Sequence, residues 1–133
     1  MNALTGLAAK KVRITLLYDF YGQLLTARQQ SLFALYYQAD LSLGEIAEQQ
    51  DVSRQAVYDI LKRSERALET FESKLGLVER HLHGEKIVRQ VEQDLEALAD
   101  DVAELVTDES ANDVLRRIRH IGKLVQSLAD TER

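Results

Sequence analysis

The chain of 133 residues is long enough to bury a substantial core, and its 45% hydrophobic and 29% charged residues are typical of a folded, soluble domain. It has no proline, no cysteine and only six glycines, which favours an all-α fold and excludes disulfides and thiolate metal sites. Residues 1–78 hold nine basic and nine acidic side chains, whereas residues 79–133 hold eight basic and thirteen acidic ones. The net charge of -5 therefore belongs to the C-terminal part, which predicts two functional zones.

The first predicted elements are two helices. Apolar residues recur on one face of a helix over residues 11–21, and Gly22 is expected to end it. Thr26 and Gln29 have the spacing of a capping box, which predicts a second helix that ends near Asp40. The tyrosines of both helices fall among leucines at helical spacing, so we expect them to be core or core-edge residues.

The stretch "LSLGEIAEQQDVSRQAVYDIL" has the layout of a helix-turn-helix. Ser42 begins another capping box and opens a short helix, while Ser53 is expected to cap a long helix that runs to Leu75 and stops at Gly76. The crossing of the two helices requires a small residue, which Ala47 supplies.

The turn and the anchors of this motif are also recognisable. Asp51 stands at the turn position where glycine is most common, and aspartate tolerates the left-handed region better than most residues. Val52, Val57 and Ile60 occupy the apolar positions that fix the second helix against the first. The pattern therefore predicts a stable helix-turn-helix.

The exposed side of the second helix carries the candidate nucleic-acid contacts. Arginine and glutamine near its start are suited to base edges or phosphates, and the tyrosine and lysine further along could reach the backbone. The predicted nucleic-acid-binding residues are Ser53, Arg54, Gln55, Tyr58 and Lys62. Asp59 interrupts this face, and beyond Lys62 acidic and basic residues alternate, so a solvated helix with intrahelical ion pairs is the alternative there.

The pattern of the C-terminal part predicts two more helices after a connector. The segment "HLHGE" lies near a helix start and is interpreted as a polar connector. Apolar positions resume after it, from Ile87 to Val106, and Ser110 is expected to open a last helix to about Leu128. Apolar residues alternate by three and four on all three long helices, which predicts a helical bundle. Pairing of part of this seam with a second copy or a partner helix is the alternative reading.

Two clusters in this part are candidate chemical sites. His81, His83 and Glu85 could bind zinc on a strand, but they diverge on a helix, so no metal is predicted. The acidic side chains of residues 92–104 are interpreted as a solvated face or as a docking surface for a basic partner. The sequence contains neither a catalytic triad nor a phosphate-binding loop, so we predict no enzyme and no cofactor.

The blocks "DFYGQLLT", "SLGEIAE" and "VSRQAVYD" carry a resemblance to the YlxM family of small bacterial helix-turn-helix proteins. The match covers roughly residues 10–78, and the C-terminal third matches only in its helical, acidic character. The resemblance implies a fold like the promoter-reading fourth region of sigma factors. It also implies a role in, or regulation of, the signal recognition particle pathway of Ffh and FtsY, and it implies no catalytic residue.

We therefore expect residues 1–78 to form a DNA-binding helix-turn-helix region and residues 79–133 to form an acidic two-helix region, packed on or paired through the long helix. The expected partners are DNA or the particle's RNA, Ffh, and a second copy. The competing hypothesis is a protein-interaction module that keeps the helix-turn-helix as a scaffold, and a third is a transcription factor that reads its own operator as a dimer. No apolar run reaches the roughly 18 residues that span a bilayer and no signal-peptide pattern is present, so we expect a cytoplasmic protein.

Overall fold

The computed structural model describes residues 3–131, which divide into two compact units between Val78 and Glu79. The predicted all-α fold is confirmed, since these residues form six α-helices and no strand. The helices are α1 (Ala3–Tyr21), α2 (Ala27–Phe33), α3 (Leu43–Gln50), α4 (Arg54–Leu75), α5 (Leu77–Leu105) and α6 (Glu109–Thr131). Within the described part of the chain, no helix is both long enough and apolar enough to cross a bilayer.

Helix α1 starts well before the predicted residue 11, yet it ends at Tyr21 as expected. The side chains of residues 6–13 are all exposed, with Leu7 64% exposed, so hydrophobic periodicity could not detect this part of the helix. A short 3₁₀ turn, Gly22–Leu24, follows. A Cβ placed on Gly22 would lie 2.9 Å from the ring of Tyr18, so this close approach requires glycine.

Helix α2 begins at the predicted capping box, in which Thr26 Oγ1 accepts from the Gln29 N–H at 3.1 Å and the Gln29 side chain accepts from the Thr26 N–H at 3.0 Å. The regular helix predicted to continue to Asp40 is not observed. After Phe33 the chain widens into a π-helical turn, Ala34–Gln38, closed by a hydrogen bond from the Ala39 N–H to the Ala34 carbonyl. The wider turn changes the direction of the side chains that follow it.

An aromatic stack forms the centre of the first unit. Phe33 has no exposed surface, and its ring lies between those of Tyr18 and Tyr37, at centroid distances of 4.2 and 4.4 Å. The buried residues of the cluster around the stack come from α1, the turn before α2, α2, α4 and the start of α5: Ile14, Leu17, Tyr21, Leu25, Phe33, Leu68 and Val78. This cluster, through Leu68, joins α4 to α1 and α2.

Helices α1 and α4 are also joined by a charged pair. The Arg13 guanidinium donates two hydrogen bonds of 2.8 Å to the carboxylate of Glu69. These bonds lower the pKa of Glu69 below its usual value because they stabilise the ionised form. The bidentate geometry fixes the relative rotation of α1 and α4.

The start of α5 is fixed by hydrogen bonds within the first unit, and α5 begins ten residues before Ile87, where the apolar pattern resumes. After Gly76, in the left-handed conformation at φ 62°, the N–H of Leu77 donates to Tyr21 Oη and the N–H of Val78 donates to Glu72 Oε1, both at 3.0 Å. These side-chain oxygens satisfy N–H groups of the first turn that lack helical partners. A helix can therefore begin directly after α4, and the segment interpreted as a polar connector lies within it.

The second unit consists of α5 from Glu79 onward together with the whole of α6. His81 Nε2 lies 3.1 Å from Glu85 Oε1, one helical turn away, and no group of three metal-ligating side chains occurs among residues 3–131. Helix α6 begins at Glu109, one residue before the predicted start, because Asp108 accepts hydrogen bonds from both the N–H and the hydroxyl of Ser110.

Candidate nucleic-acid interface

The first helix of the motif, α3, is defined by its N-terminal cap. Ser42 Oγ accepts from the Glu45 N–H at 3.1 Å, and Glu45 Oε1 accepts from the Ser42 N–H at 3.2 Å. This reciprocal pair satisfies two backbone donors at the start of the helix. The predicted capping box is confirmed, and it fixes where α3 begins.

The turn between α3 and α4 has the predicted left-handed residue. Asp51 adopts φ 54° and ψ 48°, and the following N–H, of Val52, donates to the carbonyl of Ala47 at 3.0 Å. Ser53 then caps α4 by accepting from the Ala56 N–H at 3.0 Å. The left-handed conformation of Asp51 and these two hydrogen bonds therefore set the angle at which α4 leaves α3.

A small core holds the two helices of the motif together. Its buried residues are contributed by α2, α3 and α4: Leu32, Ile46, Ala47, Val57 and Leu61. Ile46 and Val57 have no exposed surface, and Val52 and Ile60 pack against the cluster. Because the predicted anchors are buried on one side of α4, its opposite side is left to the solvent as a rigid, presented surface.

The predicted contact residues lie on that presented surface. Ser53, Arg54 and Gln55 are exposed at the start of α4. Tyr58 is 43% exposed one turn further along, and 32% of the Lys62 side chain is exposed after another turn. The arrangement places hydrogen-bonding side chains at the end of the helix that would enter a groove, as in other helix-turn-helix motifs.

Gln55 and Asp59 form a hydrogen-bonded pair on this surface. The Gln55 Nε2 group donates to Asp59 Oδ1 at 2.9 Å, across one turn of α4. The pair occupies one amide donor of Gln55 and places a carboxylate beside the residues that would approach a polyanion. Sequence alone identifies Asp59 as an interruption of this face, whereas its hydrogen bond to Gln55 is seen only in the folded chain.

Lys62 belongs to a network centred on Glu65, whose side chain is only 13% exposed. Lys62 Nζ lies 3.3 Å from Glu65 Oε2, and Lys10 Nζ of α1 lies 3.7 Å from the same oxygen. The Tyr37 hydroxyl donates to Glu65 Oε1 at 2.5 Å, and burial, followed by this hydrogen bond to a carboxylate, raises the pKa of Tyr37. The network holds two lysines at one point of the surface.

Lys62 is also held from the other side, since its ammonium lies 5.5 Å from the centroid of the Tyr58 ring. This distance is within the range of a cation–π interaction. Lys62 is therefore positioned by Tyr58 and Glu65 together while remaining partly open to solvent.

A cleft of about 430 Å³ lies beside this network, between α1, the π-helical turn, the start of α3 and α4. Its walls carry three lysines, Lys10, Lys11 and Lys62, and three acidic residues, Asp40, Glu45 and Glu65. The ammonium groups can contact the phosphates of a nucleic acid backbone only in competition with these carboxylates. Sequence reasoning did not include Lys10 and Lys11 among the contacts, because only the folded chain brings α1 beside α4.

Comparison with known proteins shows that the helix-turn-helix lies within a segment that is similar to other proteins. A family model described as "UPF0122: Putative helix-turn-helix protein, YlxM / p13 like" matches residues 8–109, which include all of α3 and α4. A UPF0122 protein of Thermoanaerobacter sp. (strain X514) is 54% identical over 95 residues, which cover 64% of this chain and 81% of that protein. A UPF0122 protein of Listeria innocua is 43% identical over 112 residues, which cover 84% of this chain and 96% of that protein.

Proposed function

The chain belongs to the UPF0122 family of YlxM/p13-like helix-turn-helix proteins, and from this premise we propose that it binds duplex DNA through the exposed surface of α4. The observation that carries the proposal is the exposure of Arg54 and Gln55 on the first turn of a helix whose opposite side is fixed in a core. Neither side chain is needed to hold the fold, and both have the hydrogen-bonding groups that read bases in the major groove.

In this proposal the two side chains have separate partners. Arg54 donates to the acceptors of guanine or to a phosphate, and Gln55 pairs with an adenine edge once its amide leaves Asp59. Ser53 and Tyr58 lie beside them and contact the DNA backbone, which fixes the register of α4 on the duplex.

The lysines of the cleft supply the backbone contacts in this proposal. The ion pair of Lys11 is exposed, with its Nζ 3.1 Å from Asp40 Oδ1, and exposed pairs contribute little stability. Exchanging the carboxylate of Asp40 for a phosphate therefore costs little, whereas Lys10 keeps its contact with the largely buried Glu65. Since residues 1–78 have no net charge, few counterions are released and the affinity is expected to be modest and strongly salt-dependent.

A direct titration tests the proposal. Fluorescence anisotropy of a labelled duplex, and separately of signal recognition particle RNA, is followed as the full chain is added at 50 mM salt. The proposal predicts saturable binding of the duplex in the micromolar range or tighter, and absence of duplex binding in this range overturns it. Binding of the RNA but not of the duplex would indicate that the same surface of α4 binds RNA instead of DNA.

Replacing Asp59 by asparagine is expected to strengthen duplex binding by about threefold, because the variant removes one negative charge beside the phosphates. Asparagine can still accept the hydrogen bond from Gln55, so the change isolates the charge. The dissociation constant of the purified variant is compared with that of the wild type at 50 mM salt. Asp130→Asn is the matched control, since Gln126 donates to Asp130 at 3.4 Å across one turn of α6. Equal affinities for Asp59→Asn and the wild type would contradict the placement of this residue at the interface.

We further propose that this DNA-binding regulator is cytoplasmic and takes part in, or regulates, the signal recognition particle pathway. The support for the pathway is the resemblance to YlxM proteins, which implies a role in the pathway of Ffh and FtsY, with Ffh as a possible partner. A second copy of the chain is the other partner in this proposal, because a dimer doubles the DNA contacts and can restore the specificity that one weakly charged motif lacks.

One observation favours the competing function, in which the chain binds protein and the helix-turn-helix is only a scaffold. The acidic side chains of the middle of α5 are exposed, namely Asp94, Glu96, Asp100, Asp101 and Glu104. Such a surface fits a basic partner, for which Ffh is the named hypothesis. A pull-down with purified Ffh at low and high salt distinguishes the two functions, since salt-sensitive capture without any DNA binding supports the competitor.

A further inference from the structure

Helices α5 and α6 each carry one line of buried or half-buried apolar positions, called the seam, and the two helices approach each other at their middles. The seam positions alternate by three and four residues and are half-buried or buried, as at Leu95, Ala99 and Val102 of α5 and Leu115, Ile118 and Gly122 of α6. A Cβ placed on Gly122 would lie 3.9 Å from Cδ1 of Leu95, which brings the middles of the two helices together. The short connection between them makes the pair antiparallel.

A second apolar line runs along each helix and is not covered. On α5 it includes Leu98 and Leu105, which are 49% and 83% exposed. On α6 it consists of Val114, Ile121 and Leu128, all of them exposed. Residues seven apart return to nearly the same side of a helix, with a drift of about 20°, so each set forms one continuous line.

Both lines lie on the same side of the pair. Each line precedes a seam position by one residue, as Leu98 precedes Ala99 and Ile121 precedes Gly122, which is a rotation of about 100° in the same sense. Two antiparallel helices are related by an approximate twofold axis perpendicular to their plane, so equal rotations bring both lines to one side. The result is a single apolar face about 21 Å long, measured from Val114 to Leu128.

The opposite side of the pair is polar. Arg89 and Glu96 of α5 and Arg119 and Gln126 of α6 are rotated the other way from the seam, and all four are exposed. The pair therefore has one apolar and one charged side, which is the pattern of half of a four-helix bundle. Two helices alone leave the apolar half of this pattern in water.

We propose that a second copy of the chain covers this face, so that two α5–α6 pairs form a four-helix bundle. The charges at the edges of the face determine the arrangement. Asp94 and Asp101 lie along the outer edge of α5, and Arg117 lies at the equivalent edge of α6, level with Asp101. All three are exposed, and Arg117 Nε also lies 3.4 Å from Asp113 Oδ2 on its own helix.

A twofold axis parallel to the helices brings α5 of one copy against α6 of the other, which places Asp101 opposite Arg117 twice. The other twofold arrangement brings α5 against α5, so that the aspartates of the two copies approach each other and none of them meets Arg117. Like charges at these positions disfavour it. The charge pattern therefore favours a second copy in one orientation over a non-specific hydrophobic contact.

This inference rests on the homodimer of the proposed function and names its surface. The family match ends at residue 109, where α6 begins, so half of this surface lies outside the matched segment. It also shares no residue with the α4 surface proposed for DNA, so dimerisation and DNA binding are measured by separate changes.

The first test is the mass of the full chain in solution, by light scattering or sedimentation at micromolar concentration. The proposal predicts twice the chain mass of 15.1 kDa for the wild type, and the mass of one chain for Leu98→Glu/Ile121→Glu. The matched control, Arg119→Glu/Gln126→Glu, adds the same two carboxylates to the polar side and is expected to remain dimeric. A monomeric wild type, or a Leu98→Glu/Ile121→Glu variant that stays dimeric, overturns the proposal.

A charge exchange tests the orientation without placing a charge in the apolar face. Asp101→Arg and Arg117→Asp are each expected to weaken dimerisation by about tenfold, since each change occurs twice, and the combined variant is expected to recover most of the loss. Circular dichroism checks that each variant keeps its helices. A combined variant no better than the single ones overturns the orientation. DNA titration of the wild-type chain decides the proposed function separately, because the dimer surface shares no residue with the α4 surface.

Discussion

Replacing Arg54 and Gln55 together by alanine is expected to weaken binding to duplex DNA by about thirtyfold or more. A well-placed contact of arginine or glutamine to a base contributes roughly 1–3 kcal/mol of discrimination, and a loss of about 2 kcal/mol already corresponds to this factor. Both side chains are exposed on the first turn of α4, whose cap uses Ser53 and whose core contacts use Val57, so the fold is expected to be unchanged. Anisotropy titration of the variant beside the wild type measures the effect.

A matched control separates recognition from the loss of one positive charge. Arg119→Ala/Gln126→Ala removes the same two residue types from the exposed side of α6, and its DNA affinity is expected to remain within about twofold of the wild type. If both double variants lose affinity equally, the contribution of Arg54 is one of overall charge. If neither loses affinity, α4 is not the DNA-binding surface.

Replacing Phe33 by alanine is expected to lower the free energy of unfolding by about 3–5 kcal/mol, the range typical of a large buried side chain. Phe33 is fully buried between Tyr18 and Tyr37, so the variant loses apolar burial and both stacking contacts and leaves a cavity. Urea denaturation followed by circular dichroism measures this change.

Phe33→Leu is the control for this change, because leucine fills much of the same volume and should cost about 1 kcal/mol. A loss no larger than this for Phe33→Ala would show that the stack does not hold α1 and α4 against α2. Since α4 carries the proposed DNA surface, the strongly destabilised variant should also lose DNA binding on warming before the wild type does.

Local chemistry explains which parts of the fold were predictable. Ser42, Ser53 and Gly76 each act through hydrogen bonds or conformations that involve only residues a few positions away, so sequence spacing was sufficient to place them. The same holds for Asp51, whose left-handed conformation follows from the turn that the motif requires. The predicted helix-turn-helix is confirmed for these reasons.

Longer-range contacts explain what sequence could not give. The segment after Gly76 is helical because Tyr21 and Glu72, distant in sequence, accept hydrogen bonds from its first N–H groups. The π-helical turn after Phe33 accompanies the aromatic stack that spans α1 and α2. Neither contact leaves a periodic signal in the sequence.

The candidate site shows the same division. Patterning identified the exposed residues of α4, since the buried anchors define the opposite side. It could not identify Lys10 as a neighbour of Lys62, because their shared contact, Glu65, joins α1 to α4 only in the folded chain. Patterning also could not predict that the Gln55 amide donates a hydrogen bond to Asp59.

The salt dependence of duplex binding tests the central claim most directly. The affinity of the wild-type chain for a labelled duplex is measured between 50 and 200 mM salt, and the logarithm of the association constant is plotted against that of the salt concentration. Contacts to phosphates by two to four of the basic side chains around α4 predict a straight line with a slope of about -2 to -4. Binding that does not change over this range, or no binding at 50 mM salt, would contradict the account.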